Sequence, residues 1–307
     1  MPKRLFFGVN NGSPDKAWVT DLDFDIKQMI TDINLGPGVI VGDYAYFINF
    51  DANPRTVVKY DLDTFTLQAT SSTGYDYEDG ICTDGNYIFV SPEVSGTMLH
   101  VLSLDTLAKV GEGPATGNDA RDMHCADGIV YGSDESGDVW SWTPGQGSLN
   151  WKYGDSGYAR AVYAYGDYVY FANDGGYIKK LQVSNGSYVD GANLDGNDGV
   201  GIARENDGTH IYVNSGNGLE YTEKIDMGTM MVVASHAFVG GWNKGIAYHG
   251  GYVYTADKGD QKILKIDTSN MVIADTFVPG WLFDGADVFL LFDLLSAGNA
   301  LMFAANF

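Results

Sequence analysis

The stretch GGYVYTADKGDQKILKIDTSNMVIADTF, residues 250–277, decides the fold. It reads as three short strands: an aromatic and β-branched run, a polar loop, a second run ending in Asp-Thr, and a third run. Three strands cannot bury both of their own faces, so they must pack against something else. The pattern recurs in GDYAYFINFDANPRTVVKYDLDTFTLQATS from Gly42, GNYIFVSPEVSGTMLHVLSLDTLAKV from Gly85 and GIVYGSDESGDVWSWTPGQGSLNW from Gly128. It returns in GDYVYFANDGGYIKKLQVSNGSYVDG from Gly166 and GTHIYVNSGNGLEYTEKIDMGTMMVVAS from Gly208. The glycines are spaced 43, 43, 38, 42 and 42 residues apart. A further strand-like segment precedes each unit (GPGVIV, EDGICTD, RDMHCAD, ARAVYAY, GVGIAREN, NKGIAYH), which makes four strands per unit.

Four short strands repeated at this period predict an all-β chain: a seven-bladed β-propeller of four-stranded antiparallel blades. Six units are complete. The seventh is expected from both ends, with RLFFGVNN, AWVTDLDF and IKQMITD supplying three strands and GWLFDGADVFLL returning as the innermost one. Residues 285–291 are therefore expected to pair with residues 4–9 and close the ring. No linker or low-complexity tract interrupts the repeats, so residues 1–307 are expected to form one domain.

The runs TVVKYDLDTFTLQAT and KILKIDTSNMVIADTF resemble the strand-turn-strand repeat of YVTN-type and related quinoprotein-like or lactonase-like propellers. The resemblance is at the level of the fold; its Asp-Thr turn is a structural device, since both side chains bond nearby backbone groups. The Gly-His and Trp-Asp pair of WD40 blades is absent.

Composition narrows the function classes. A net charge of −22, with 18 scattered Lys and Arg against 40 Asp and Glu, argues against a nucleic-acid partner, whose phosphates require clustered bases. The opening MPKRLFFGVNNG has too short an apolar run for a secretory signal, and RLFFGV is needed as a strand. Three locations follow, the cytoplasm, the mature form of a secreted protein, or a particle assembled inside a cell and later released, with a cytoplasmic or virion-associated protein favoured. The apolar C-terminal segment is divided by Asp284, Asp287, Asp293 and Asn299, so no membrane span is expected.

Cys82 and Cys125 stand at equal distances before Gly85 and Gly128, in CTDG and CADG. Equivalent positions in consecutive blades point the same way around a ring, which predicts two free buried thiols rather than a disulfide. His124 adjoins Cys125, but no second ligand has metal-binding spacing. The five histidines are scattered and read as framework residues. No G-x-S-x-G elbow, Walker loop or H-E-x-x-H occurs. NLDGNDG has the oxygen ligands of a calcium loop, yet its glycine is misplaced and Arg204 stands where a bidentate Glu is needed. No cofactor is expected, with Ca²⁺ the one ion to consider.

Counting six residues back from each repeat glycine gives Asp79, Asp122, Arg160 and Lys244, with Glu78, Arg121 and Asn243 one place earlier. The Gly201 unit places Val200 there, with Asp198 near, and the C-terminal segment offers Asp284. These residues are expected to ring one mouth of the channel. They would form either a ligand site or a salt-bridged network that closes it, since both arrangements perturb ionisation.

Two function classes follow. The first is a non-enzymatic binding or assembly module with protein partners, a structural or host-binding component of a virus particle. The second is a lactonase-like or quinoprotein-like enzyme working at the charged mouth. No catalytic residue can be named, which favours the first. So does LLSAGNALMFAANF, which exceeds what one closing strand needs. Residues 297–307 are expected to be a docking tail carried by Leu301, Met302, Phe303 and Phe307, each worth about 1.5–3 kcal/mol on full burial. The same residues could instead cover the propeller's own first blade.

Overall fold

The structure is a computed structural model that describes residues 5–9, 16–31, 35–50, 52–72, 77–92, 98–116, 120–205, 208–216, 219–239, 245–257, 259–260 and 262–278. Every regular element among them is a strand, so none is a helix long and apolar enough to cross a membrane. The strands form six four-stranded antiparallel sheets and one three-stranded sheet, each joining strands in chain order. The six complete blades cover residues 35–70, 77–115, 120–154, 159–193, 199–239 and 246–277, numbered here 1 to 6.

Side-chain chemistry explains each strand's place. Second strands such as Tyr168–Asn173 (YVYFAN) and Tyr252–Asp257 (YVYTAD) are nearly continuous apolar and β-branched runs, and almost every residue in them is buried. Such strands are covered on both faces by the neighbouring blades. Outermost strands such as Val272–Phe277 are exposed for most of their length. The core is consequently a succession of layers between blades: Tyr46, Phe89, Trp140 and Trp142 fill blades 1 to 3, Tyr131 and Phe171 blades 3 to 4, and Tyr212 and Leu264 blades 5 to 6.

The N-terminal strands Leu5–Val9, Lys16–Thr20 and Ile26–Thr31 form the three-stranded sheet. Phe24 lies 6.0 Å edge-on to Tyr254 and 5.8 Å in a stack over Phe277, both of blade 6. Leu5–Val9 in turn contacts Leu35–Val41 of blade 1. This sheet therefore occupies the seventh position, between the last and the first complete blades. Its expected pairing with residues 285–291 lies outside the described residues.

A repeated fastener joins the blades. A lysine on the third strand donates to the carbonyl that opens the next blade's turn: Lys59 to Leu104 at 2.9 Å, Lys180 to Met227 at 2.8 Å, Lys224 to Thr268 at 3.1 Å and Lys265 to Leu22 at 2.9 Å. Around Lys59, Lys180 and Lys265, two tyrosines of the lysine's own blade flank it. Lys59 Nζ stands 4.0 Å from the Tyr44 ring centre and 5.6 Å from that of Tyr46; Lys180 stands 4.0 Å from Tyr168 and 5.8 Å from Tyr170. Desolvation would be costly without these partners, and burial does hold the Lys180 ammonium below its usual pKa. The Lys265 contact extends the series across the seam into the N-terminal sheet.

The cysteines correct the expectation of free thiols. Cys82 and Cys125 form a disulfide between the inner strands of blades 2 and 3, with Cα atoms 5.9 Å apart. The reason is a one-residue slip in where the glycine sits. Cys82 pairs with Phe89 across its hairpin, four residues beyond Gly85, whereas Cys125 pairs with Val130, two beyond Gly128. Gly85 takes the first left-handed place of its turn, with φ of 87°; in the next blade Asp127 takes that place, with φ of 51°, and Gly128 follows at 75°. Equal distances from the glycines therefore differ by one from the turn centres. Side chains alternate along a strand, so one residue reverses the face and turns the two thiols toward each other.

Candidate functional site

The inner strands of blades 1 to 5 open with an irregularity at the end expected to form the channel mouth. Ala120 pairs with Asp134 and Asp122 with Ser133, leaving Arg121 as an extra residue; Arg160 and Val200 are extra in the same way in blades 4 and 5. A bulge of this kind re-aims its side chain and ends the regular ladder. Arg121, Arg160 and Val200 thus occupy equivalent positions. The neighbours Arg121 and Asp122, expected to act as one group, are separated.

Arg121 pairs with Glu135, on the hairpin loop of its own blade. Asp122 is buried, and its two carboxylate oxygens accept from Met123 N and from Val162 N of blade 4, each at 2.8 Å. It is a strut between blades. Two residues along, His124 Nδ1 accepts from Ala164 N at 3.2 Å, which requires the neutral ring. Burial first, and then the charge of Arg204, push its pKa down to about 3.

Arg160 stands 5.7 Å from the Tyr158 ring centre. Across the gap to blade 5, Asp198 is buried; desolvation raises its pKa, the Arg160 charge opposes the shift and Asp174 adds to it. Arg160 and Asp198 thus interact electrostatically across the two blades, and Val200, two residues beyond Asp198, is buried. Glu78 and Asp79 belong to the strand Tyr77–Thr83, but their side chains lie outside the described residues. Asn243, Lys244, Asp284, Leu301, Met302, Phe303 and Phe307 do as well.

The calcium-like loop is drawn into blade 5. Asp195 N donates to Glu223 Oε1 at 2.6 Å, Ser215 Oγ donates to the other oxygen, and burial lifts the Glu223 pKa to about 7. Among the described residues, no three His, Cys, Asp or Glu side chains converge as a metal ion would require.

A second site was not anticipated. Between the outer strands of blades 3 and 4 lies a cleft of about 380 Å³, lined by Tyr153, Tyr177, Tyr188, Lys179, Gly191 and Asn193 among others. Asp155 holds Lys179 Nζ at 2.6 Å and accepts from Asn173 Nδ2 at 2.9 Å. The signal in the sequence was the tyrosine content of GGYIKKLQVSNGSYVDG, read there only as strand-forming.

Solved structures share this arrangement of blades. The computationally designed Ika8 protein matches with a TM-score of 0.68 and 12% identity, over 99% of this chain and 97% of its own. The WD40 β-propeller domain of Doa1 matches at 0.67 and 15%, over 98% and 94%. Dihydro-heme d1 dehydrogenase NirN, in complex with DHE, matches at 0.64 and 20%, over 91% of this chain and 64% of its own. At these identities the likeness shows the fold alone. The chain is a β-propeller. No family model and no curated protein matches the sequence.

Proposed function

We propose that the protein is a non-enzymatic binding and assembly module, a structural or host-binding component of a larger particle such as a virion. The observation that carries this reading is the engagement of the mouth residues with their own framework. Asp122 links blade 3 to blade 4, and Arg121 is held by Glu135. Ligand-binding or catalytic groups need atoms facing a substrate, and these two face the protein. The inter-blade disulfide supports a particle that leaves the cell, because such bonds persist in oxidising surroundings. The finer kinship with Asp-Thr-turn propellers of the YVTN or lactonase-like type rests on TVVKYDLDT and KILKIDTSN.

In this reading residues 297–307 are the docking element, through Leu301, Met302, Phe303 and Phe307. Removing them tests it. The truncated chain is expected to keep its β-sheet spectrum and melting temperature while failing to co-sediment with the particle. A large drop in melting temperature would assign the tail to the propeller core. Turnover of a lactone or sugar acid by the full chain, abolished by Arg160→Met, would move the protein to the enzyme class.

A further inference from the structure

The cleft between blades 3 and 4 is built by departures from the pattern of the other blades. The third and fourth strands of blades 4, 5 and 6 share one register, in which Lys179, Glu223 and Leu264 face Gly191, Ser235 and Thr276. Blade 4 alone of these three lacks a side chain at that place. A Cβ at residue 191 would meet the Ile178 carbonyl oxygen at 2.8 Å and Tyr188 Oη at 3.3 Å. In the same register Tyr188 stands where blades 5 and 6 carry Val232 and Ile273. On the opposite side the outer strand Trp151–Gly154 has 4 residues, as has Leu67–Thr70 of blade 1, against 6 in Tyr188–Asn193. The short strand and the glycine open the gap, and three tyrosines line it.

Its chemistry selects the ligand. Tyr177 and Tyr188 are 44% and 53% exposed, so their rings present an accessible apolar surface with a hydroxyl at the rim. Lys179 is buried deeper than either and neutralised by Asp155. A cation is disfavoured, because Lys179 Nζ is already 5.8 Å from the Tyr177 ring centre. An anion is disfavoured by the protein's net charge of −22. What fits is a neutral group with an apolar face and a polar edge. A pyranose ring has both: C–H bonds that lie on a tyrosine face, and hydroxyls that can reach Lys179 and Asn193. The cleft volume is at the small end of the range for ligand sites and suits one or two sugar units.

We infer that this cleft is a binding site for a neutral sugar residue of a glycan. The inference goes beyond the assembly reading and does not depend on it, since the cleft is complete within residues 153–193.

The test is an array of neutral and sialylated glycans probed with the full chain, followed by saturation-transfer NMR with the strongest neutral glycan. Tetramethylammonium serves as the cation probe. Neutral glycans are expected to bind, with transfer concentrated on the C–H protons of one ring. Tyr188→Ala should weaken binding about tenfold, the equivalent of losing one aromatic contact. Asn193→Ala should weaken it less, and both exposed substitutions should leave the melting temperature unchanged. If Tyr188→Ala proves unstable, loss of binding in folded Asn193→Ala supports the site equally. Absence of any neutral glycan from the bound set, binding of tetramethylammonium in its place, or undiminished binding by both variants would overturn the inference.

Discussion

The interface between blades 4 and 5 and the interface between blades 2 and 3 have the same sheet geometry and are fastened by different chemistry. In the first, Lys180 crosses between Tyr168 and Tyr170 to the Met227 carbonyl. In the second the corresponding register place, opposite Phe89, is Val101, which has nothing to donate. There the inner strands carry Cys82–Cys125 instead. Between blades 3 and 4 the corresponding residue is Ser141, and the Val183 carbonyl receives Trp151 Nε1 at 2.7 Å. Apolar burial is non-directional and would allow blades to slide or splay. These interfaces therefore add directional links, the Asp122 strut among them, and the ring accepts an ammonium, an indole or a disulfide in that role.

The largest effect is expected from removing the covalent link. Cys82→Ala with Cys125→Ala should cost about 2–4 kcal/mol, the usual range for a disulfide, here one spanning 43 residues. Reductant should lower the melting temperature of the native chain and leave that of the double variant unchanged. Equal melting in all four conditions would mean that the blade 2–3 interface is secured without the bond, and the comparison would fail at its strongest point.

This disulfide also marks where the sequence stopped being readable. The blades were legible because repeat glycines punctuate them and because YVYFAN-like runs are β-branched and aromatic. The same glycines then misled. Asp127 can adopt the left-handed place that Gly85 takes in the preceding blade, so the glycine slides by one residue, and the turns differ: Asp127 and Gly128 are both left-handed, whereas Gly85 is the one left-handed residue of its turn. Strand register has no tolerance for one residue, because a slip of one reverses every side chain. The channel mouth suffered likewise: Arg121 and Asp122 are adjacent and so diverge, one to Glu135 and one into the next blade. Three of the four lysine links are visible as Lys-x-Asp, in VVKYD, TEKID and ILKID; Lys180, in KKLQ, has no such mark. They were not read as links because a strand lysine ordinarily extends into solvent, and only neighbouring sheets can show otherwise.

The second effect sharpens the comparison from the other side. Lys180→Met keeps the length and apolar stem of the side chain and removes its charge, leaving the Met227 carbonyl without this donor. A loss of about 1.5–3 kcal/mol is expected in urea unfolding, as for hydrogen bonds to charged groups. The Lys180 and Cys82–Cys125 links belong to different interfaces, so their losses should add to within about 0.5 kcal/mol. A combined loss well below the sum would show that the links act on one shared motion of the ring rather than each on its own seam.

The smallest effect concerns a pair of hairpins in neighbouring blades. Asn173 Oδ1 accepts from Gly175 N and Tyr177 N, capping its turn, while its Nδ2 donates to Asp155 of the preceding blade. Asp134 stands in the same place in blade 3 and caps its turn identically, through Ser136 N and Asp138 N. Its second oxygen is buried with no hydrogen-bond partner among the described residues. Desolvation raises the Asp134 pKa above its ordinary value, against the pull of Ser136 and Asp138 N–H, with the Asp138 charge adding to the rise. The folded state therefore holds this proton more tightly than the unfolded chain does. Its contribution is fully present below the unfolded value near 3.8 and is lost as pH rises through the folded value, because ionisation then leaves a buried charge. Asp134→Asn keeps the capping oxygen and removes that charge. It is expected to stabilise the protein by about 0.5–1.5 kcal/mol at neutral pH. The gain should shrink toward zero as pH falls to about 4 and below, where the native carboxyl is itself neutral. A gain that is independent of pH would place its origin in packing, and a loss at neutral pH would show that Asp134 has a charged partner that its twin in blade 4 does not need.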